Sequence, residues 1–284
     1  MEDVETTISV MHDEALRARS VSLVHRLLSG AGRASVVAYD LAPVVEAEAI
    51  THALSDVGEL MVACVADEDV PLSTGGQLPV RVRMDVVKEA PEWSVRITAC
   101  AAHLLGVLEW LDGDVRDSYL TGAGLPARMV ELASARGGRL GIVRTERVLL
   151  HDATGVTPVP FDEIADLAVS ATPSFPDADD EWAARELFAR LSPSDVSDLL
   201  DAAAAGWDAA FPLSVREQGG CPHLDGQVFC VDVDSNGLTV MDVDSGLTTV
   251  VLFTFDTPAK SVEELADRLG QLLDGCAGFS SLRS

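Results

Sequence analysis

Three consecutive residues could ligate a metal-containing cofactor. Cys221, Pro222 and His223 follow one another in a glycine-flanked stretch. A Cys-Pro pair is typical of haem-regulatory motifs, because the proline directs the chain away and leaves the thiolate free to bind iron. The imidazole of His223 could supply a nitrogen ligand instead. Short motifs also recur by chance, so an ordinary surface loop is the alternative explanation.

Three arginines could hold an anionic group. Arg81, Arg83 and Arg96 carry planar guanidinium groups, which suit both a phosphate and a haem propionate. The segment Arg81–Arg147 has ten basic and nine acidic residues, whereas the whole chain has a net charge of −26. An anionic small ligand is therefore least repelled in this segment. Solvated strand faces would account for the same arginines.

Neither a protein-only metal site nor a catalytic residue is predicted. Asp232, Asp234 and Asn236 before Gly237 match the first half of a calcium loop, but the glutamate expected six residues after the glycine is Val243. Hairpin turns with their carboxylates facing water are the favoured interpretation. A zinc site from Cys221, His223 and Cys230 lacks a fourth ligand.

One further histidine lies in an apolar stretch. His103 is surrounded by alanine and leucine, and we interpret it as a core or interface histidine in preference to a ligand or base.

The elements that would position these residues begin with a central pair of strands. In Leu78–Val87, apolar residues alternate with Arg81, Arg83 and Asp85, which indicates a half-buried strand. Lys88–Glu92 has the composition of a turn, and Trp93–Trp110 is apolar enough for a second strand covered on both faces. Gly106 predicts a bulge or kink in it. The two strands should pair antiparallel.

The remaining pattern predicts an α+β protein with two domains. A helix over Asp13–Ser29 precedes several short strands, which fit a small barrel better than a parallel sheet. The polar stretch Ser170–Asp180 predicts a linker. Two helices, four strands and a last helix starting at Ser261 and ending at Gly275 then form an α+β module. The predicted domains are 1–172 and 181–276.

This order of elements resembles the haem-utilisation (HugZ-like) branch of the pyridoxamine 5′-phosphate oxidase-like split barrels. The likeness rests on Leu78–Gly106, on Gly141–Ala168 with its Asp-Ala-Thr-Gly turn, and on Glu181–Leu273. It implies a split β-barrel of the FMN-binding type, followed by a small α+β domain of uncharacterised function. It also implies a homodimer, because such barrels share their ligand groove between subunits.

Two stretches depart from that family. The place that matches its phosphate-binding turn is Asp67–Gln77, which has three acidic residues and no Lys or Arg. Phosphate needs positive charge and donors, so this loop disfavours FMN. Haem-degrading members use a histidine near the C-terminus as an axial ligand, and Gly275–Ser284 contains none.

The resemblance therefore implies a haem- or tetrapyrrole-binding protein, with a role in haem iron use and His223 or Cys221 as axial ligand. The first alternative is an FMN-dependent oxidoreductase in which Arg81, Arg83 or Arg96 replace the missing loop cations. The second is a barrel without a cofactor that serves as a binding or regulatory module.

Net charge, the length of apolar stretches and the cysteine content restrict the binding partners and the cellular compartment that we expect. The net charge of −26 opposes binding to nucleic acid, which depends on cations that neutralise phosphate. No stretch approaches the ~20 apolar residues of a membrane span. Five cysteines without paired spacing predict reduced thiols and a cytoplasmic protein.

Overall fold

The chain divides into two compact units. One comprises Met1–Lys88 and Cys100–Ser174, and the other comprises Glu89–Ala99 and Phe175–Ser284. The computed structural model describes residues 2–39, 45–65, 79–92, 95–170, 174–177, 180–217 and 222–282. At residues 2–13, 45–49 and 222 it describes the backbone only.

The first unit contains a closed antiparallel barrel of six strands. In the part of the chain that the structure describes, the sheet of this unit has eight strands, and six of them form the barrel. The strands are β1 (Arg33–Ala38), β2 (Val45–Leu54), β3 (Leu60–Val65), β4 (Val80–Glu89), β5 (Thr98–Trp110), β6 (Gly138–Arg144), β7 (Arg147–Asp152) and β8 (Gly155–Pro160). The order β4-β1-β2-β3-β6-β5 closes because β5 also pairs with β4. The predicted split β-barrel in an α+β protein is confirmed.

The barrel is split along the longest strand. Residues 107–110 of β5 pair with β6, and residues 101–103 pair with β7, both antiparallel. Thus β6 and β7 follow one another along β5, and β7 then forms a hairpin with β8 outside the closed ring. The change of partner occurs around Gly106, where an added Cβ would lie 2.5 Å from the carbonyl oxygen of Arg144.

Four helices lie among the described residues of this unit. They are α1 (Glu2–Leu28), α2 (Gly113–Gly122), α3 (Ala127–Ser134) and α4 (Phe161–Val169). The last turns of α1 bury Leu23, Leu27 and Leu28 in the same core as the inward side chains of the strands. Met129 and Ala133 of α3 form a separate small core with β3 and β6. The two cores cover opposite faces of β3, which is why that strand is apolar throughout.

The second unit packs helices on an antiparallel sheet. Its helices are α5 (Glu181–Ala189), α6 (Pro193–Ala204) and α7 (Val262–Ser281), and its strands are β9 (Ala210–Glu217), β10 (Gln227–Val233), β11 (Gly237–Asp244) and β12 (Leu247–Thr254). The strand order is β10-β11-β12-β9. Leu199 of α6 and Leu265 of α7 share one core with Val240 and Phe253. Within this unit, Arg185 donates to the carbonyl oxygen of Pro91 at 2.7 Å.

Most predicted elements are present, and two predicted helix limits need correction. The first helix begins at Glu2 and not at Asp13, and the last ends at Ser281 and not at Gly275. The stretch Glu46–Ser55, ambiguous in sequence, lies almost wholly in strand β2. The later part of Arg116–Arg136 holds the helix α3, and the helix α2 precedes it. The domain limits 1–172 and 181–276 stay a prediction.

Candidate functional site

A carboxylate and an imidazole meet on the outer face of the barrel. Asp85 of β4 and His103 of β5 alternate with residues whose side chains point into the core, such as Met84 and Leu104. The Nδ1 atom of His103 lies 2.7 Å from Oδ1 of Asp85. The other carboxylate oxygen of Asp85 accepts a bond from Nε of Arg83 at 2.9 Å. Asp85 thus bridges the guanidinium and the imidazole.

The bridge fixes the orientation of the imidazole. An Nδ1–H that donates to a carboxylate sets the tautomer and leaves Nε2 as the basic nitrogen. The His103 side chain is 36% exposed and that of Asp85 only 16%. The carboxylate is therefore partly shielded from water while the ring it holds remains accessible. The expectation that His103 is a core histidine is wrong, and an interface role stays a prediction.

A second imidazole and two exposed apolar side chains lie beside this pair. The ring of His151 in β7 meets that of His103 edge-on, with 4.6 Å between the ring centroids. His151 pairs in register with Val156, whose side chain is 57% exposed. Leu105, two residues after His103 on the same face of β5, is 65% exposed. The polar cluster therefore lies next to apolar surface.

A histidine that is oriented by a carboxylate can provide one ligand to a metal centre. Among the residues described, no three or more His, Cys, Asp or Glu side chains are placed to hold a metal ion. A tetrapyrrole already supplies four nitrogens to iron and needs only one or two from the protein. A single histidine oriented by a carboxylate provides such an axial ligand.

The predicted arginines do not form one cluster. Arg83 contacts Asp85, and its side chain is 54% exposed. Arg81 lies on the same face of β4, with its guanidinium 5.5 Å from the ring centroid of Tyr39. Arg96 belongs to the second unit, where it pairs with Glu89 at 3.4 Å.

The predicted axial ligands lie in the second unit. His223 is an exposed residue of the short 3₁₀ helix Pro222–Leu224, and its carbonyl oxygen accepts a bond from the side chain of Gln227 at 2.7 Å. Cys221 lies outside the residues that the structure describes, as does the loop Asp67–Gln77 on which the argument against FMN rests. The roles of these residues stay predictions.

The aspartates of the calcium-like motif are buried, which corrects the prediction that they face water. Asp232 and Asp234 are 6% and 9% exposed. Oδ1 of Asp234 accepts bonds from the backbone N–H groups of Asn236 and Gly237, at 2.8 and 3.1 Å. This carboxylate therefore stabilises the turn between β10 and β11 through backbone donors.

The contact between Asp85 and His103 was missed because the turn between their strands was placed too early. A turn at Lys88–Glu92 would put Asp85 opposite a residue near 95. In the structure β4 continues to Glu89 and β5 begins only at Thr98. The alternating pattern placed Asp85 on the outer face of β4, whereas the continuously apolar second strand gave no outer face for His103. The pairing of the two residues also depends on loop length, which composition does not determine.

Comparisons with known proteins give structural likeness only. No family model matches the chain, and no curated protein matches it in sequence. Among solved structures, a haem-binding protein from Mycobacterium smegmatis is similar at 13% identity and a TM-score of 0.49, covering 91% of this chain and 98% of that one. A protein of unknown function from Agrobacterium tumefaciens is similar at 14% identity and a TM-score of 0.38, covering 90% and 96%.

No helix among the described residues is both long and apolar enough to cross a membrane.

Proposed function

We propose that the protein binds haem on the outer face of its barrel, with His103 as the axial ligand. The observation that carries this proposal is the 2.7 Å contact between Nδ1 of His103 and Asp85, beside exposed apolar surface. A carboxylate that accepts this bond makes Nε2 a stronger donor to iron. The same proposal includes membership of the haem-utilisation branch of the split barrels.

The surroundings of His103 fit a haem group. Leu105 offers an apolar side chain to the macrocycle, since it is 65% exposed. Arg83 and Arg81 follow the same outer face of β4, and a guanidinium group suits a propionate. When bound, haem would supply a redox-active iron. The residues of this chain would hold the group and orient its ligand, and no reaction is proposed.

The predicted ligands of the second unit provide an alternative within this proposal. His223 is exposed, and either it or Cys221 would serve as axial ligand if His103 does not. Thiolate and imidazole ligation differ in their absorption spectra, so a titration distinguishes Cys221 from the two histidines, and substitution of each histidine distinguishes His103 from His223. Of the three predicted arginines, Arg96 is the one that belongs to the same unit as His223.

Haemin titration followed by absorption tests the proposal. We expect a saturable shift of the Soret band in the natural protein, and loss of that shift in His103→Ala. Asp85→Asn should retain binding but weaken it by about 10-fold or more, because the ring loses its orienting acceptor. His223→Ala and Cys221→Ala are the matched controls and should leave the spectrum unchanged. Folding of each variant is checked by circular dichroism.

Two outcomes would overturn parts of this assignment. A spectrum that is insensitive to His103→Ala but altered by His223→Ala or Cys221→Ala would place the ligand in the second unit. No shift at all with the natural protein would exclude haem binding. Addition of FMN then separates the two remaining hypotheses. Quenching of its fluorescence would favour the oxidoreductase, and no quenching would favour a module without a cofactor.

The proposal includes a homodimer. Leu105 and Val156 are exposed apolar residues beside the two histidines, and a second copy that covers them would exclude water from the ligand. Cytoplasmic location stays a prediction.

A further inference from the structure

A groove in the second unit combines apolar walls with three carboxylates. It has a volume of 620 Å³, within the usual range of about 300–1,000 Å³ for small-molecule pockets. Its apolar lining includes Phe188, Leu191, Val196, Leu200 and Val228. Phe188, Leu191, Leu200 and Val228 are only partly buried against the core, so they present apolar surface to whatever occupies the groove.

The carboxylates occupy positions that the fold would otherwise fill with apolar side chains. Along β11, Leu238 and Val240 face the helices and are fully buried. The next two residues on that face are Asp242 and Asp244, and both line the groove. Asp242 pairs in register with Val228 of β10. The side chains of β11 that face the helices therefore change from aliphatic to acidic where the groove begins.

A third carboxylate faces these two from a helix. Asp201 lies on α6 and lines the same groove. None of the residues that line the groove carries a positive charge. Burial, together with the neighbouring charge of Asp244, raises the pKa of Asp242 above its ordinary value. A cation between them would relieve that repulsion, because an opposite charge favours the ionised form of a carboxyl group.

We propose that this groove binds an amphipathic organic cation, namely a small molecule with an apolar body and a protonated amine or guanidinium group. The apolar body lies against Leu200 and Val228, and the cationic group lies among Asp201, Asp242 and Asp244. A bare metal ion fits less well, since no metal-holding set of side chains occurs among the described residues and half the lining is apolar. This proposal is independent of haem binding.

Fluorescence titration with dansylcadaverine, an aromatic sulfonamide with one primary amine, tests the proposal. We expect saturable binding with a blue-shifted emission at 150 mM NaCl, where long-range charge effects are screened. The N-acetylated probe keeps the apolar body but loses the charge, and should bind at least about 10-fold more weakly, which corresponds to ~1.4 kcal/mol. The double variant D242N/D244N should lose at least as much affinity for the charged probe.

The matched control is D267N/D274N, which removes the same charge from exposed positions of α7 outside the groove. It should bind the probe as the natural protein does. A second groove variant, Ser197→Lys, places a cation at the exposed rim and should also abolish binding.

Equal binding of the charged and acetylated probes would overturn the proposal. So would an equal loss in D267N/D274N, which would indicate attraction to the net charge alone. Unchanged binding in both groove variants would exclude the groove as the site.

Discussion

Burial separates the histidines of the first unit into two kinds. His52 on β2 is 4% exposed, and its Nε2 donates to the carbonyl oxygen of Leu27 at 2.7 Å. His25 on α1 is likewise buried. Burial lowers the pKa of both, although the bond to Leu27 partly opposes this for His52. These two are structural and neutral, whereas His103 and His151 lie on the outer face.

The lowered pKa of His52 makes the stability of the barrel sensitive to acid. Below pH ~6.5 the unfolded chain takes up a proton at this histidine that the folded barrel does not. The free energy of unfolding is therefore highest above pH ~6.5. It falls as the pH decreases, by at most about 1.4 kcal/mol per pH unit for one histidine. In His52→Gln the amide nitrogen can still donate to Leu27 but cannot titrate, so the decline should be shallower.

Urea unfolding from pH 8 to pH 5, followed by pulsed hydrogen exchange of barrel peptides, measures this difference. Peptides of the second unit serve as the internal control, and His25 is present in both proteins, so its contribution cancels. Parallel curves for the natural protein and His52→Gln would contradict the assignment of the pH dependence to this residue.

At the scale of elements, the ends of α6 and α7 show that capping residues in the sequence and tertiary packing both decide where a helix starts and stops. Ser192 caps α6 in a reciprocal box, since its hydroxyl accepts from the backbone N–H of Asp195 at 3.1 Å and its own N–H donates back to that carboxylate at 2.8 Å. In α7 only half of such a box forms. Ser261 accepts from Glu264, but the carboxylate of Glu264 accepts instead from the N–H of Lys260.

The predicted end of α7 at Gly275 fails for a packing reason. Leu265, Leu269, Leu272 and Cys276 form one buried face that extends past that glycine. A Cβ at position 275 would lie 3.3 Å from the ring of Trp207. The glycine therefore permits close approach of this aromatic ring and does not terminate the helix. Burial of the apolar face outweighs the cost of about 1 kcal/mol of glycine inside a helix.

Gly106 likewise permits a close approach in the barrel, here between β5 and β6. Its replacement tests whether the change of strand partner along β5 depends on that approach. In Gly106→Ala the new Cβ would lie 2.5 Å from the carbonyl oxygen of Arg144, which is backbone and cannot move aside alone. Overpacking of this kind costs about 1–3 kcal/mol. We expect a loss of that size in the free energy of unfolding of the barrel, measured by urea denaturation with hydrogen exchange.

Gly270→Ala is the matched control for the same change. Gly270 lies in α7 with nothing within 4 Å of an added Cβ. Alanine should therefore stabilise the second unit by up to about 1 kcal/mol through helix propensity. A neutral effect of Gly106→Ala would mean that β5 and β6 are not held at their close approach.

For the whole molecule, charge and apolar surface act against each other in self-association. Each 30.0 kDa chain carries a net charge of −26, so two copies repel at low ionic strength. Exposed Leu105 and Val156 on the barrel would favour pairing. Light scattering should give the mass of a dimer at 150 mM NaCl, with tighter association at 500 mM because salt screens the repulsion.

Leu105→Asp should shift this equilibrium towards the monomer, since it places a charge in the proposed interface. Val57→Asp is the control, because Val57 is 60% exposed but lies in the turn after β2. An equal effect of the two variants, or a natural protein that is monomeric at both salt concentrations, would contradict the dimer.

The strand alternation around Arg83 and Val82 and the start of the last helix at Ser261 could both be predicted from local sequence. Each is a short-range property of backbone conformation or of side-chain period. The barrel class followed, because the order and length of such elements admit few packed arrangements.

The sites depended on contacts between residues distant in the chain. Asp85 reaches His103 only through the register of β4 and β5, and Asp242 and Asp201 line one groove only because α6 and β11 both border it. A one-residue change of register would turn every outward side chain inward. The local sequence determined the two faces of β4, where apolar and charged residues alternate. Tertiary structure decided which side chains meet, because strands and helices pack in the arrangement that buries their apolar faces against one another.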